Sequence, residues 1–183
     1  MGAPGLMPNN DQNNGDEEKH TFAVLVENKF GVLAKVASLF SARGYNIDSL
    51  CVGVTQDPSV SRITLVTSGD INILEQIRKQ LSKLIDTIKV LELDDKETAE
   101  RELVLIKVSA PKDKRSEVLQ IVEIFRARTI DISNDALIIE VTGDEGKIGA
   151  MLELLRPYGI KEIARTGKVG LSRGAKTLKG LKN

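Results

Sequence analysis

The stretch TFAVLVENKFGVLAKVASLFSARGYN, residues 21–46, decides the fold of the first part of the chain. Its beginning is apolar and rich in β-forming residues, which predicts a strand over 21–27. The apolar positions then recur at helical spacing, which predicts a helix over 31–43. Arg43 suits the last turn of that helix, and Gly44 is its expected C-terminal cap.

The same alternation of elements continues to residue 93. Strands are predicted over 46–55, 60–67 and 85–93, with a turn at 56–59, and a second helix begins at Gly69-Asp70. This order, β-α-β-β-α-β, is typical of a ferredoxin-like unit, in which both helices cover one face of a four-stranded antiparallel sheet. The opposite face needs a cover, for which we expect a partner chain.

The order then repeats, so the predicted fold class is α+β, with two ferredoxin-like βαββαβ domains in tandem. Predicted strands of the second unit lie at 102–109, 130–133, 137–142 and 160–165, and its helices at 114–125 and 143–155. The predicted divisions are a disordered tail at 1–19, a first domain at 20–93, a charged linker at 94–101, a second domain at 102–166 and a basic tail at 167–183. Units of this size are close to the lower limit for a self-sufficient core, which favours dimerisation.

Composition excludes several functional classes. The 183 residues include 26 Lys and Arg and 26 Asp and Glu, so the zero net charge gives no general attraction to nucleic acid or to an anionic membrane. The single cysteine, Cys51, and the single histidine, His20, exclude an internal disulfide, a Cys/His zinc site and a His-based catalytic triad. No secretory signal is recognisable, so we expect a cytoplasmic protein without a membrane partner.

The segment ENKFGVL, residues 27–33, is the strongest candidate for a binding site. Backbone N–H groups at the start of a helix lack partners within the helix and favour an anion. Gly31 permits a close approach to the backbone, and the Asn28 amide suits both the carboxylate and the ammonium group of an amino acid. Asn46 and Ile47, at the start of the predicted second strand, are expected to contribute across a dimer interface. The alternative is that Gly31 is only a turn residue and Asn28 only a helix cap.

Other candidate sites are weaker. Asp57, Arg62 and Asp70 are considered as a paired-charge site, although isolated surface charges are commoner. The acidic residues of the second unit do not have the spacing of a calcium loop; they are Asp131, Asp135, Glu140, Asp144 and Glu145. Cys51 reads as a small buried hydrophobic residue. The basic C-terminal segment is interpreted as a solvated end, with a docking strand for a partner as the alternative.

Several segments together resemble the small, regulatory subunits of acetohydroxyacid synthase, also called acetolactate synthase. They are LVENKFGVLAKVASLFSARGYNIDSLCVG at 25–53, SRIT at 61–64, EQIRKQLSKLIDTIKV at 75–90, ERELVLIKV at 100–108, VEIFRARTIDIS at 122–133 and IKEIARTGKVGLSRG at 160–174. The resemblance covers residues 20 to about 174. It implies an N-terminal ACT domain, a ligand-sensing βαββαβ module, followed by a C-terminal ACT-like domain.

The resemblance also implies a function. Such a subunit has no active site or cofactor of its own, and it binds a catalytic large subunit that uses thiamine diphosphate, Mg²⁺ and FAD. It activates that subunit and confers feedback inhibition by a branched-chain amino acid, usually valine, at the first common step of valine, leucine and isoleucine biosynthesis. The location it implies is the cytoplasm, or the plastid stroma in a photosynthetic eukaryote.

In the family, the effector lies at the interface of an ACT homodimer. The matching positions are Asn28, Gly31, Val32 and Leu33 of one protomer, with Asn46 and Ile47 of its neighbour. Many ACT domains carry proline before the turn glycine, whereas this chain has Phe30. Two alternatives are a stand-alone amino-acid-sensing ACT protein that regulates another partner or nucleic acid, and a ferredoxin-like acylphosphatase, which would need an arginine in the first strand–helix loop.

Overall fold

The structure is a computed structural model that describes residues 19–94 and 96–178, so the tail predicted at the N-terminus lies outside it except for Lys19. The first unit consists of β1 (Lys19–Glu27), α1 (Val32–Arg43), β2 (Ser49–Val54), β3 (Val60–Ser68), α2 (Ile71–Lys83) and β4 (Thr87–Leu93). The second consists of β5 (Thr98–Ser109), α3 (Arg115–Ile124), β6 (Arg128–Ile132), β7 (Ala136–Gly143), α4 (Glu145–Leu155), a 3₁₀ turn (Arg156–Tyr158), β8 (Ile160–Arg165) and β9 (Val169–Ser172). The predicted α+β class and the two βαββαβ units are confirmed.

The first sheet has the strand order β2-β3-β1-β4, and all of its pairings are antiparallel. Its central strand β1 is buried on both faces, which explains why the sequence there is almost continuously apolar. Phe22, Val24 and Val26 pack against α1 and α2, whereas Ala23 and Leu25 belong to a second cluster on the opposite face. The core of this unit therefore lies between its sheet and its helices.

The second sheet has the order β6-β7-β5-β8 and is built in the same way. Val104, Ile106 and Val108 of β5 alternate toward α3 and α4, where Met151 and Leu155 are fully buried. Both units thus place two helices on one face of an antiparallel sheet. Within the described residues, none of the helices is long and apolar enough to span a membrane.

The helix starts predicted at the two Gly-Asp pairs are confirmed. The Asp70 carboxylate accepts hydrogen bonds from the backbone N–H groups of Asn72 and Ile73, at 2.8 and 2.9 Å. The Asp144 carboxylate accepts one from the N–H of Lys147 at 2.8 Å. Both aspartates are therefore N-caps, which satisfy N–H groups that have no partner within the helix.

Parts of the predicted charged linker and of the predicted basic tail form a two-stranded ribbon, so these two predictions are corrected. Thr98–Arg101 are the first residues of β5, and they pair antiparallel with β9. Thr98 is buried and Glu100 half-buried, whereas Ala99 and Arg101 are exposed. This is strand alternation, and the high charge of the segment concealed it in the sequence. The predictions are wrong for residues 98–101 and 169–172, while the predicted tail from residue 179 lies outside the described part.

The ribbon lies against the face of the first sheet that points away from its helices. The Arg62 guanidinium donates to the carbonyl of Gly170 at 2.6 Å, and the N–H of Lys168 donates to Ser49 Oγ at 3.2 Å. Leu178 joins the apolar cluster on the same face. A side chain at Gly170 would place its Cβ 2.8 Å from Cδ1 of Leu93, so glycine allows the close approach. The face for which we expected a partner chain is thus partly covered by this chain itself.

Candidate functional site

The turn between β1 and α1 leaves the start of the helix open. Gly31 is the N-cap residue with φ of 83°, in the left-handed region that favours glycine, and no side chain caps the helix. The first turn of α1 contains no acidic residue. The N–H of Val32 makes only a long contact, 3.4 Å, to the carbonyl of Lys29. The backbone donors of this turn are therefore arranged to receive an anion.

Asn28 holds the turn in place rather than capping the helix. Its Nδ2 donates to the carbonyl of Pro58 at 2.9 Å, and its backbone N–H donates to the carbonyl of Ser59 at 2.7 Å. Both acceptors belong to the loop between β2 and β3. No donor among the described residues reaches Asn28 Oδ1. The alternative that Asn28 is a helix cap is therefore wrong, and its amide oxygen is available to an ammonium group.

The side chains that follow Gly31 divide between core and surface. Val32 is buried against the first core, whereas Leu33 is 43% exposed and Phe30 is fully exposed. Phe30 therefore does not cover the turn within one chain. The nearby cations are already paired, because Lys29 contacts Glu27 at 2.7 Å and Lys35 contacts Asp86 at 2.5 Å. The hydrogen bond to Glu27 raises the pKa of Lys29 above its ordinary value.

Asn46 and Ile47 lie at the other end of α1. The second strand begins at Ser49, so the prediction that these two residues start it is wrong. The reason is local, since Asn46 Nδ2 donates to Asp48 Oδ1 and its carbonyl accepts from Thr67 Oγ1, at 2.5 and 2.6 Å. Asn46 is exposed, whereas Ile47 packs on the first core. The loop they form is anchored to β3 but presents Asn46 outward.

One chain does not bring the two groups of predicted site residues together. The 12 residues of α1 separate Gly31 from this loop, a span of about 18 Å at the usual rise per residue. The two groups of residues therefore form separate patches, one at each end of α1. The strand next to the loop, β2, is an edge of its sheet and has an exposed Val54, which leaves its backbone open to pairing.

The weaker candidates do not form sites. Asp57 accepts from Ser59 within the hairpin loop, Asp70 caps α2, and Arg62 lies on the face covered by the ribbon, so these three do not meet. In the second unit Asp144 caps α4, and Glu145 pairs with Lys168 at 2.9 Å. Across residues 19–94 and 96–178, no three His, Cys, Asp or Glu side chains converge to hold a metal ion.

The contact between the C-terminal segment and the first sheet was not predicted from the sequence. Residues Val169-Gly170-Leu171-Ser172 alternate in the manner of a strand, with Gly170 buried and Leu171 exposed. That alternation was the available signal, but the surrounding lysines and arginines favoured a solvated end. As a result, the sequence did not reveal that the two units are joined through the ribbon as well as through the chain.

Comparison with known proteins identifies both units. Residues 22–89 match the family described as AHAS small subunit-like ACT domain, and residues 101–174 match the family described as small subunit of acetolactate synthase. The acetolactate synthase small subunit of Aquifex aeolicus is 53% identical over 160 residues, which cover 87% of this chain and 83% of that protein. That of Mycobacterium bovis is 54% identical over 155 residues, 85% of this chain and 92% of that protein.

A solved structure agrees with the sequence comparison. The crystal structure of the acetolactate synthase small subunit from Thermotoga maritima is 43% identical and superposes with a TM-score of 0.79. The match covers 87% of this chain and 99% of that one. The similarity therefore extends over both units and the ribbon that joins them.

Proposed function

Because this chain belongs to the family of acetolactate synthase small subunits, we propose that it activates a separate catalytic subunit of that enzyme and makes it sensitive to a branched-chain amino acid. Valine is the proposed effector, and valine, leucine and isoleucine biosynthesis the proposed pathway. The catalytic partner would carry thiamine diphosphate, Mg²⁺ and FAD. We place the assembly in the cytoplasm.

The observation that carries the proposal is the start of α1. Of the four α-helices in the described part of the chain, α1 alone begins with neither a side-chain cap nor an acidic residue in its first turn. A ligand carboxylate there would gain from the unpaired N–H groups and the helix dipole, about 0.3–1 kcal/mol from the dipole alone. The remaining affinity must come from Asn28 and from the second patch, contributed by the partner chain.

We propose that a homodimer completes the site. Asn28, Gly31, Val32 and Leu33 of one protomer would face Asn46 and Ile47 of the other, with the apolar side chains holding the aliphatic part of the effector. The edge strand β2 supports this arrangement because its backbone is available for pairing between chains. Light scattering of the purified chain should give a dimer, and a monomer that still binds valine tightly would contradict the shared site.

The test is a reconstitution with the thiamine-diphosphate-dependent subunit, with and without valine. We expect the chain to increase acetolactate formation and valine to reduce it. Asn28→Ala should weaken inhibition by valine about tenfold while activation stays largely intact, because it removes the amide oxygen proposed to bind the effector and the hydrogen bond that holds the turn to Pro58. Asn72→Ala, an exposed asparagine on α2, is the matched control. Equal loss of activation and inhibition in Asn28→Ala would argue against a role in effector binding.

An alternative keeps the sensing module but changes the partner. A stand-alone amino-acid-sensing protein would bind valine without affecting any acetolactate synthase. Unchanged activity in the reconstitution, together with valine binding in calorimetry, would favour this alternative. Activation without valine sensitivity would retain the family function and remove only the proposed effector.

A further inference from the structure

A cavity of about 900 Å³ lies on the covered face of the first sheet, away from the predicted effector site. Its floor is formed by two rows of residues, and each row runs across neighbouring strands of the first sheet. Gly53, Arg62 and Leu25 are in register in one row, and Cys51, Thr64 and Leu91 contribute to the next. None of the six predicted effector residues lines it. The cavity is therefore a separate feature of the molecule.

The wall opposite this floor comes from the ribbon and the residues after it. Val169, Leu171 and Leu178 contribute apolar side chains, and Ala99 belongs to the same wall. Leu171 is 63% exposed, although it faces a concave surface. A volume in this range, with mainly apolar walls and a few polar groups, is typical of sites for small molecules.

The charged side chains that line the cavity are all positive. Arg62, Arg101 and Lys176 line it, and none of its described lining residues is Asp or Glu. Lys176 pairs with Glu97 at 3.0 Å, and Glu97 does not line the cavity. The cavity therefore presents three cationic side chains beside an apolar surface, and none of its described lining residues is a carboxylate.

Arg62 is the most informative of these cations. One of its guanidinium nitrogens donates to the carbonyl of Gly170, while its Nε is buried without a partner. Burial lowers its pKa, and no ion pair joins it to a carboxylate among the described residues. Glu100, which lies opposite Gly170 in the ribbon, pairs with Lys168 at 3.6 Å. A half-buried guanidinium without a counter-charge is costly, so a bound anion would relieve that cost.

We propose that this cavity binds a small amphipathic carboxylate, with its head group at Arg62 and its aliphatic chain between Leu25, Leu91 and Leu171. The ligand would contact both the first sheet and the ribbon, so binding would strengthen the connection between the two units. This second site does not rest on the proposed regulatory function, since none of its residues belongs to the effector site.

The first test uses octanoate as the probe, with the full chain followed by calorimetry and by amide NMR. We expect saturable binding below about 10 mM, with shifts concentrated at the floor and at β9. The neutral analogue 1-octanol should bind at least about tenfold more weakly, because it lacks the charge-assisted hydrogen bond to Arg62. Absence of saturable octanoate binding, or equal binding of the neutral analogue, would overturn the proposal.

The second test changes the charge. Arg62→Gln removes the positive charge and leaves a shorter amide donor, and it should weaken octanoate binding about tenfold or more. The matched control is Arg128→Gln, at an exposed position of β6 outside the cavity, which should leave binding within about twofold. Amide shifts of β9 in the absence of ligand report whether the ribbon remains docked. An unchanged affinity in Arg62→Gln would overturn the role of this residue as the carboxylate site.

The third test fills the cavity without removing a contact. Gly53 lines the cavity and a Cβ there would meet no atom within 4 Å, so Gly53→Leu begins its added side chain in open space. We expect octanoate binding to weaken about tenfold, because the added side chain takes space beside Arg62, and thermal stability to be retained. Gly149→Leu, on the exposed face of α4, also meets open space and is the control. Undiminished octanoate binding in a folded Gly53→Leu protein would place the ligand elsewhere and overturn the proposal.

Discussion

The turn from β1 into α1 and the turn from β5 into α3 occupy equivalent places in the two units, yet only the first is open. Both are tied to the hairpin loop of their own unit. Asn28 reaches Pro58 in the first, whereas the Arg115 guanidinium reaches Ser133 and Asn134 in the second, at 2.7 and 2.6 Å. The shared anchoring reflects the duplicated topology, and the difference lies in what each turn leaves unsatisfied.

The second turn supplies its own charges. Arg115 also donates to the carbonyl of Ala110, and the first turn of α3 contains Glu117, which accepts from the Tyr158 hydroxyl at 2.8 Å. That hydrogen bond raises the pKa of Tyr158. The first turn has Gly31 where a side chain would otherwise stand. The same backbone framework is thus closed by side chains in one unit and left open in the other.

The largest expected effect comes from closing the open turn. Gly31→Val places a β-branched side chain at a φ of 83°, which costs about 1–2 kcal/mol or forces the turn to rearrange. A Cβ there meets nothing within 4 Å, so the effect comes from the backbone and not from a clash. We expect valine affinity in calorimetry to fall more than about tenfold. Gly149→Val is the control, and unchanged affinity in Gly31→Val would remove the distinction between the two turns.

The next effect comes from opening the closed turn. Arg115→Ala removes charged hydrogen bonds to three carbonyls, so the free energy of unfolding should fall by about 1–2 kcal/mol in urea titration. The affinity for valine should not change. Lys114→Ala, at the exposed neighbouring position, should have little effect on either quantity. A large loss of valine affinity in Arg115→Ala would show that the second turn also takes part in sensing.

The N-cap residues of α2 and α4 should contribute to the stability of the fold and not to valine binding. Asp70→Ala leaves the N–H groups of Asn72 and Ile73 without their partner, and we expect a loss of about 1 kcal/mol in the free energy of unfolding. Asp144→Ala should behave similarly in the second unit. Conversely, Ala at the exposed Asp113 should be nearly neutral. Loss of valine inhibition in Asp70→Ala at unchanged stability would contradict the view that only α1 receives a ligand.

The smallest effect concerns the ion pair that joins the ribbon to α4. A hydrogen bond from Lys168 lowers the pKa of Glu145, so the pair stabilises the fold above the ordinary carboxyl pKa and is lost as pH falls through the lowered value. Glu145 is exposed, and solvent screening limits the effect to a few tenths of a kcal/mol. The midpoint temperature of thermal unfolding of Glu145→Gln should equal that of the wild type at acidic pH and be slightly lower at neutral pH. A difference that grows as pH falls would contradict this sign.

The sequence predicted the fold wherever one physical signal dominated. The apolar run of β1, the helical spacing after Gly31 and the aspartates at 70 and 144 each depend on local chemistry, and the structure agrees. The strands at Thr98–Arg101 and Val169–Ser172 were missed because their pairing joins segments about 70 residues apart, while their charges suggested solvent exposure. Asn46 was placed in a strand because the local bond to Asp48 cannot be read from composition.

The candidate site was predictable in part for the same reason. An unpaired helix start and a left-handed glycine are local properties, and Asn28 through Leu33 follow from them. The actual partner of Asn28, the carbonyl of Pro58, depends on how the hairpin folds back. The cavity around Arg62 could not be predicted from a sequence pattern, because it forms only where β9 lies against the first sheet, whose strands are distant from β9 in the sequence.

Because β5 belongs to both the ribbon and the second sheet, the molecule cannot be dissected at the charged segment between the units. Cutting the chain near residue 98 would leave β9 without its partner and uncover Ala23, Leu25 and Leu93. Separately produced halves would therefore expose apolar surface and are expected to aggregate. Chimeric proteins made from two relatives should fold only when the ribbon and the first sheet come from the same relative.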